Sequence, residues 1–278
     1  ATQRDGLNAY NYNEQTFTAY QHNPKNPHSL ITNDVTDISP STQHDDGLWI
    51  STYYRGIEYL DITSGQFTHY NKNTVPGLPC EQTWTVLDGG DGNLYIGHVG
   101  SGFSILSLKD KSVKNFRNEA GNPMSLPGND VFCIIKDTNG NIWLGTNKGL
   151  ALYNAANENF ITFKKNKNDK YDTLCSRILS IRQLKDNKLW IASELNGIAI
   201  LNLKQSMFLS PEEISLEYIQ EGDDSRSLSN ASARCIFQDS FDNIWIGTWG
   251  GGINFISSKS PLFTTLSYSP IPNNENSL

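Results

Sequence analysis

Tyr53, Tyr54 and Arg55 are consecutive, and Trp249 stands between Thr248 and a run of three glycines. Groups of this kind could hold a ligand without transforming it. An aromatic face matches the C–H face of a pyranose, and a guanidinium forks onto a uronate or sulfate. Glu194 and Asn196 would add hydrogen bonds, Trp84 and Arg234 lie near the starts of their strands, and His98 replaces a threonine at the end of another. Together Tyr53, Tyr54, Arg55, Trp84, His98, Glu194, Asn196, Arg234 and Trp249 are the candidate ligand-binding residues. No catalytic residue, metal ligand or cofactor is expected beside them. The five histidines, His22, His28, His44, His69 and His98, contain no pair at short ligand spacing, and no Cys-x-x-Cys occurs. The glycines 250 to 252 lie between two strands, not between a strand and a helix as in a phosphate-binding loop.

What positions these residues is a sentence written five times. Aligned on an aromatic, the copies read GLWIST at Trp49, NLYIGH at Tyr95, NIWLGT at Trp143, KLWIAS at Trp190 and NIWIGT at Trp245, at intervals of 46, 48, 47 and 55 residues. A glycine and an apolar residue follow each: Gly56-Ile57, Gly102-Phe103, Gly149-Leu150, Gly197-Ile198 and Gly252-Ile253. A Ser-Leu landmark precedes the next apolar strand in NPHSL (26 to 30), NPMSL (122 to 126), DSRSL (224 to 228) and NENSL (274 to 278), with a weaker KYDTL at 170 to 174. A period near 47 is the length of four short strands with their turns. In the third copy these are DVFCIIK, NIWLGT, GLALYN and NFITFK, strands A to D, with a D-x-x-G-N turn between A and B.

The fold class is therefore all-β, a β-propeller of four-stranded blades. The expected divisions are 1–30 for the C-terminal half of a blade, then blades at 31–73, 74–121, 122–168, 169–222 and 223–278, the last including a linker. Half a blade plus five, with one more copy, gives a seven-bladed parent ring and marks the chain as a fragment. An unclosed ring has a strand edge at each end, so association through those edges, or a longer parent chain, is expected. The irregular B-to-C loops, YYR (53–55), HVGS (98–101), NK (147–148), ELN (194–196) and WGG (249–251), are the places to look for binding.

Composition narrows the classes further. A formal charge of −7 and a pI near 5.2 argue against a nucleic-acid partner. The densest basic run, KKNKNDK at 164 to 170, reads as a solvated loop. Cys133 and Cys235 both lie ten residues before their tryptophans, where Thr85 and Ser180 stand in other copies. Cys80 and Cys175 lie fifteen before their aromatics, in blades too far apart to be bridged. The D-x-x-G-x-x-W turn resembles the Asp-box of sialidase propellers, but that motif is a structural turn, and glycan hydrolysis or lysis stands as the weakest alternative.

The combination of Ser-Leu, D-x-x-G-N-I-W-I-G-T, G-G-I and a following Phe resembles the two-component regulator propeller repeat, over essentially the whole chain. The resemblance implies an extracytoplasmic sensor region of a hybrid two-component system of Bacteroidetes type, periplasmic, with a second propeller and a β-sandwich in the same parent, a transmembrane helix, a histidine kinase and a DNA-binding response regulator. It implies an oligosaccharide ligand, control of glycan-utilisation genes and a homodimeric parent. The competing reading is a scaffold propeller that mediates dimerisation and takes no small ligand. The chain departs from the repeat in SPSTQHDDG (39–47), in Tyr95 and His98, and in the excursion KQSMFLSPEEIS (204–215). Because the repeat is structural, it assigns no ligand-binding residue.

Overall fold

A turn of Asp, Asn and Gly closes a hairpin only if its backbone amides find acceptors, and here the aspartate supplies them. In the computed structural model, Asp137 Oδ1 accepts the N–H groups of Asn139 and Asn141, both at 2.9 Å. Its Oδ2 accepts Asn141 Nδ2 at 2.8 Å and Trp143 Nε1 at 2.9 Å. Asp239 does the same for Phe241, Asn243 and Trp245. One side chain thus ties the turn to the indole at the centre of strand B. Elsewhere the bond is rerouted: Trp49 Nε1 donates to Asp88 of the next sheet at 3.2 Å, and Tyr95 Oη donates to Asp91 at 2.7 Å. The fourth repeat has Leu184 six residues before Trp190 where the third has its aspartate, and the buried Trp190 Nε1 has no partner.

The structure describes residues 4–163, 171–203, 216–224 and 226–266. The basic run at 164–170, the excursion at 204–215 and the last Ser-Leu motif at 274–278 lie outside them. Among the described residues there are one two-stranded and five four-stranded antiparallel sheets, each in sequential strand order, and no α-helix. The first pairs β1 (Leu7–Asn11) with β2 (Thr16–Tyr20). Next come β3 to β6 (Val35–Pro40, Gly47–Thr52, Gly56–Asp61, Gln66–Tyr70), then β7 to β10 (Thr83–Asp88, Asn93–His98, Phe103–Ser107, Val113–Phe116). The third four-stranded sheet holds β11 to β14 (Val131–Lys136, Ile142–Thr146, Gly149–Asn154, Asn159–Thr162). β15 to β18 (Ile178–Gln183, Lys188–Ser193, Ile198–Asn202, Leu216–Ile219) and β19 to β22 (Ala233–Gln238, Ile244–Thr248, Ile253–Ser257, Ser260–Leu266) complete the set. These are the blades of a β-propeller. The four cysteines form no disulfide.

Two compact units divide the chain, Ala1–Lys136 and Asp137–Leu278. In the first, the core lies between successive sheets: Leu7, Leu30, Leu60 and Phe67 join the two-stranded sheet to β3–β6, and Trp49, Ile57, Leu94 and Leu106 join β3–β6 to β7–β10. In the second, Trp190, Ile198, Ile236 and Ile246 do the same for the last two sheets.

Two residues after the second strand's loop begins its return, at the position following Gly and an apolar residue, stand Glu58, Ser104, Ala151, Ala199 and Asn254, all fully buried. Their chemistry follows one backbone amide. After the buried leucine of the Ser-Leu motif, the Ile31 N–H donates to both oxygens of Glu58 (3.3 and 3.2 Å), and the Ser229 N–H donates to Asn254 Oδ1 at 3.0 Å. In the other three repeats the corresponding residue is Pro79 or Pro127, which have no N–H, or Cys175, whose N–H donates to Asp172 O at 3.1 Å. There the buried position is Ser or Ala.

Candidate ligand site

Strand A of a blade is irregular at one repeated place. The register of β3 with β4 skips Thr36, that of β7 with β8 skips Trp84, that of β15 with β16 skips Leu179, and that of β19 with β20 skips Arg234. Each is a β-bulge, which inserts one residue and re-aims its side chain. A second constraint brings a partner to it. The residue just after strand B donates its N–H to the carbonyl two residues before the bulge: Tyr53 to Asp34 (3.0 Å), Val99 to Gln82 (3.0 Å), Glu194 to Arg177 (3.0 Å) and Trp249 to Ser232 (2.9 Å). The residue after B in one blade then meets the bulge residue of the next. Tyr53 lies against Trp84, and Glu194 against Arg234.

In the first unit this display is aromatic. Tyr54 and Tyr53 pack edge to face with centroids 4.2 Å apart, Tyr53 and Trp84 at 6.0 Å, and Trp84 and Phe132 at 5.6 Å. Tyr54 is 53% exposed. The rings Tyr53, Tyr54 and Trp84, with Arg4, Asp34, Val35 and Thr36, line a cleft of about 520 Å³. An adjoining cleft of about 410 Å³, also bordered by Arg4 and Asp34, takes in Arg55, His22, Ile31, Thr32 and Asn33. The loop that carries these groups is braced: Thr52 Oγ1 donates to Gly56 O at 2.8 Å and accepts the Arg55 N–H at 3.2 Å. Gly56 is required there, since its φ of 81° and the Tyr70 carbonyl 2.4 Å from a would-be Cβ leave no room for a side chain.

In the second unit the display is ionic. Arg177 Nη1 lies 3.3 Å from both oxygens of Glu194, and Arg234 Nη2 is 3.3 Å from Glu194 Oε1. The Arg234 guanidinium stacks over the Trp249 ring at 4.7 Å, and that ring is 69% exposed. Trp143, the repeat's central aromatic, is fully buried.

The structure therefore brings Tyr53, Tyr54 and Trp84 together, places Arg55 in the adjoining cleft, and separately groups Glu194, Arg234 and Trp249. Asn196 joins neither group: its N–H is held by Ser193 Oγ and its carbonyl accepts from Thr173 and Gln220. His98 is not a surface group at all. It is the last residue of β8 and completely buried, with Nε2 2.8 Å from Ser104 Oγ and Nδ1 3.5 Å from Cys80 Sγ. Burial holds its pKa down at about 4, so it stays neutral in the fold. The other copies have Thr52, Thr146, Ser193 and Thr248 there, each donating to its own loop's glycine carbonyl. Arg4, Asp34, Thr36 and Arg177 enter the displays without having been singled out in the sequence. Among the described residues no cluster of His, Cys, Asp and Glu could hold a metal ion.

The family model described as the two-component regulator propeller matches residues 125–148 and 227–250. The extracellular domain of a hybrid two-component system protein from B. thetaiotaomicron is 62% identical over the whole chain with a TM-score of 0.81; the chain covers 33% of that domain. Histidine kinase P4 of Formosa agariphila is 33% identical over 94 residues, 32% of this chain and 7% of the kinase. The extracellular domain of a one-component system from B. thetaiotaomicron, 20% identical with a TM-score of 0.58 over 95% of this chain and 35% of its own, shares the fold. No helix among the described residues is long and apolar enough to cross a membrane. The motif is written five times, the family model matches two of its copies, and the chain is similar along its whole length to one third of an extracellular domain of a hybrid two-component system, so it resembles the two-component regulator propellers.

Proposed function

We propose that this propeller recognises an oligosaccharide in the periplasm, and that its parent is a hybrid histidine kinase and response regulator that turns on glycan-utilisation genes. A second propeller, a β-sandwich and a second parent copy are the partners of that reading. The observation that carries it is the cleft of the first unit, lined by two half-buried rings and one exposed ring together with a carboxylate and a guanidinium. Apolar ring faces with a few convergent polar groups are what a sugar site requires. Calorimetric titration of the chain with a panel of neutral and acidic oligosaccharides tests it. At least one should bind, and Trp84→Ala should weaken that binding by about 1–3 kcal/mol, the loss of an aromatic anchor. Silence across the panel would remove the reading.

A further inference from the structure

The cleft lined by Tyr53, Tyr54 and Trp84 and the adjoining one, bordered by Arg55, have Arg4 and Asp34 in common. Within the first unit, therefore, a wall of rings gives way to two guanidiniums. Neither Arg4 nor Arg55 has its guanidinium hydrogen-bonded or ion-paired among the described residues. By contrast, Arg117 and Arg182 donate to the carbonyls of Gly100 and Ile236, and Arg177 and Arg234 meet Glu194. Two unpaired cations thus border one concavity.

The fold asks for arginine at neither place. Immediately before the glycine that returns each loop stand Asp5, Arg55, Ser101, Lys148, Asn196 and Gly251, so that position accepts acid, base, amide or glycine. Arg4 lies two before its glycine, where other copies have Gly100 and Gly250. Its φ of 76° is the left-handed value that Gly100 (76°) and Gly250 (80°) adopt freely and that a side chain adopts only at a cost. A glycine would serve that turn better, so the arginine is explained by what its head group meets. Both loops are tied down beside the cleft: the Gly6 N–H donates to Asn33 O at 3.0 Å, and Thr52 Oγ1 accepts the Arg55 N–H.

Adjoining clefts, one lined by rings and one by cations, suit sugar units in sequence, one laying an apolar ring face on the aromatic wall and its neighbour carrying an oxyanion. At a formal charge of −7 the protein as a whole repels such a ligand, so its binding has to come from cations placed at the site. We propose that Arg4 and Arg55 form an anion-binding subsite of the first unit's cleft and select an acidic oligosaccharide, with a uronate carboxylate or a sulfate against the two guanidiniums. This rests on the oligosaccharide reading above and sharpens it by assigning the ligand a charge. Asp34, common to both clefts, is left to accept from sugar hydroxyls. Because the attraction is ionic, it weakens with added salt.

The test uses the whole chain and four defined probes: trigalacturonate, its trimethyl ester, neocarrabiose 4-sulfate and unsulfated neocarrabiose. Each is titrated at low and at physiological salt into the wild type, Arg55→Gln, Arg55→Lys and Arg4→Gly, with melting curves to certify folding. At least one acidic probe should bind tenfold or more tightly than its neutral counterpart, and less so at the higher salt. Which pair shows the difference tells uronate from sulfate. Arg55→Gln should bring the acidic probe down to the neutral one, and Arg55→Lys, which keeps the charge, should restore part of the preference. Arg4→Gly should weaken the acidic probe at least fivefold with an undiminished melting temperature, which separates recognition from a structural role. Equal affinity within both pairs, a preference that survives Arg55→Gln, or no binding by either acidic probe overturns the proposal. Neutral sugars that still bind, and are weakened by Trp84→Ala, would leave the oligosaccharide reading standing without this subsite. Silence of these four and of the wider panel would remove both.

Discussion

The first unit places Tyr53 against Trp84; the second places Glu194 against Arg234, at the same two repeat positions. The same bulge and the same backbone bond hold both pairs, so the scaffold is indifferent to what it presents. Even the residue two before the bulge, whose carbonyl anchors the display, changes sign: Asp34 lines the clefts of the first unit, and Arg177 pairs with Glu194 in the second. A repeat whose core positions are fixed by packing can vary its display positions with little effect on stability. The difference between the units is therefore a difference in displayed chemistry, and it can be tested separately from the fold.

The comparison is broken most forcefully by exchanging the two classes of tryptophan within one unit. Trp143→Ala should destabilise by about 3–5 kcal/mol, as large-to-small core changes do, because its ring is fully buried and its Nε1 holds Asp137. Trp249→Ala should stay within about 0.5 kcal/mol of wild type, as for a surface substitution. Urea unfolding midpoints read both. Equal losses would mean that Trp249 is core and that the display is no display.

Buried titratable groups sharpen the contrast from the other side, because the first unit has Glu58 and His98 where the second has Ala, Asn, Thr and Ser. Burial raises the Glu58 pKa from 4.5 to about 7 despite the attraction of His69. His69 Nε2 lies 2.8 Å from Pro27 O, which can only accept, so that nitrogen carries a proton and Nδ1 faces the carboxyl at 3.0 Å. Between pH 4.5 and 7 the folded carboxyl holds a proton that the unfolded one has lost, so its contribution to stability falls as pH rises. His98 acts in the opposite sense. Below pH 6.5 the unfolded imidazole takes up a proton that the folded one refuses down to about 4, so stability falls as pH falls. The effects are each on the order of 3 kcal/mol and offset one another in the wild type. Glu58→Gln, which keeps an acceptor for Ile31, should leave stability rising with pH from 4.5 to 6.5, and His98→Thr should leave it falling. Unfolding midpoints across that range that keep the wild-type slope in both variants would exclude this pairing.

Smaller again is the turn. Asp137→Ala strands the turn amides and the Trp143 indole and should cost about 1–3 kcal/mol. The smallest effect expected is the ion pair itself: a double-mutant cycle on Glu194 and Arg234 should give a coupling of only about 0.2–1 kcal/mol toward unfolding. A coupling of several kcal/mol would make the cluster a structural strut.

Much of the fold was legible because the same types recur at the same spacing: an aromatic that fills each blade, a glycine at positive φ after it and, in the third and fifth copies, a carboxylate that accepts turn amides. The bulge was not read. One inserted residue changes no composition, yet it leaves a trace, since the buried residues of strand A fall three apart, Ile178 then Ile181 and Ala233 then Ile236, where alternation demands an even spacing. That trace gives the reason that Trp84 and Arg234, already candidates in the sequence, are displayed, and it points to Asp34 and Arg177 beside them. His98 was misplaced for a related reason. Burial continues to the last residue of strand B, so a position next to a loop in sequence is core in space.

That neighbouring blades present one surface is tested most directly by a double-mutant cycle on Tyr53 and Trp84, read as affinity for whichever oligosaccharide the chain binds. If the two rings work as one wall, the losses from Tyr53→Ala and Trp84→Ala will fail to add by at least about 0.5 kcal/mol, as for residues in contact. Additive losses, or no loss in either variant, would mean that the bulge and the loop beside it do not form the site.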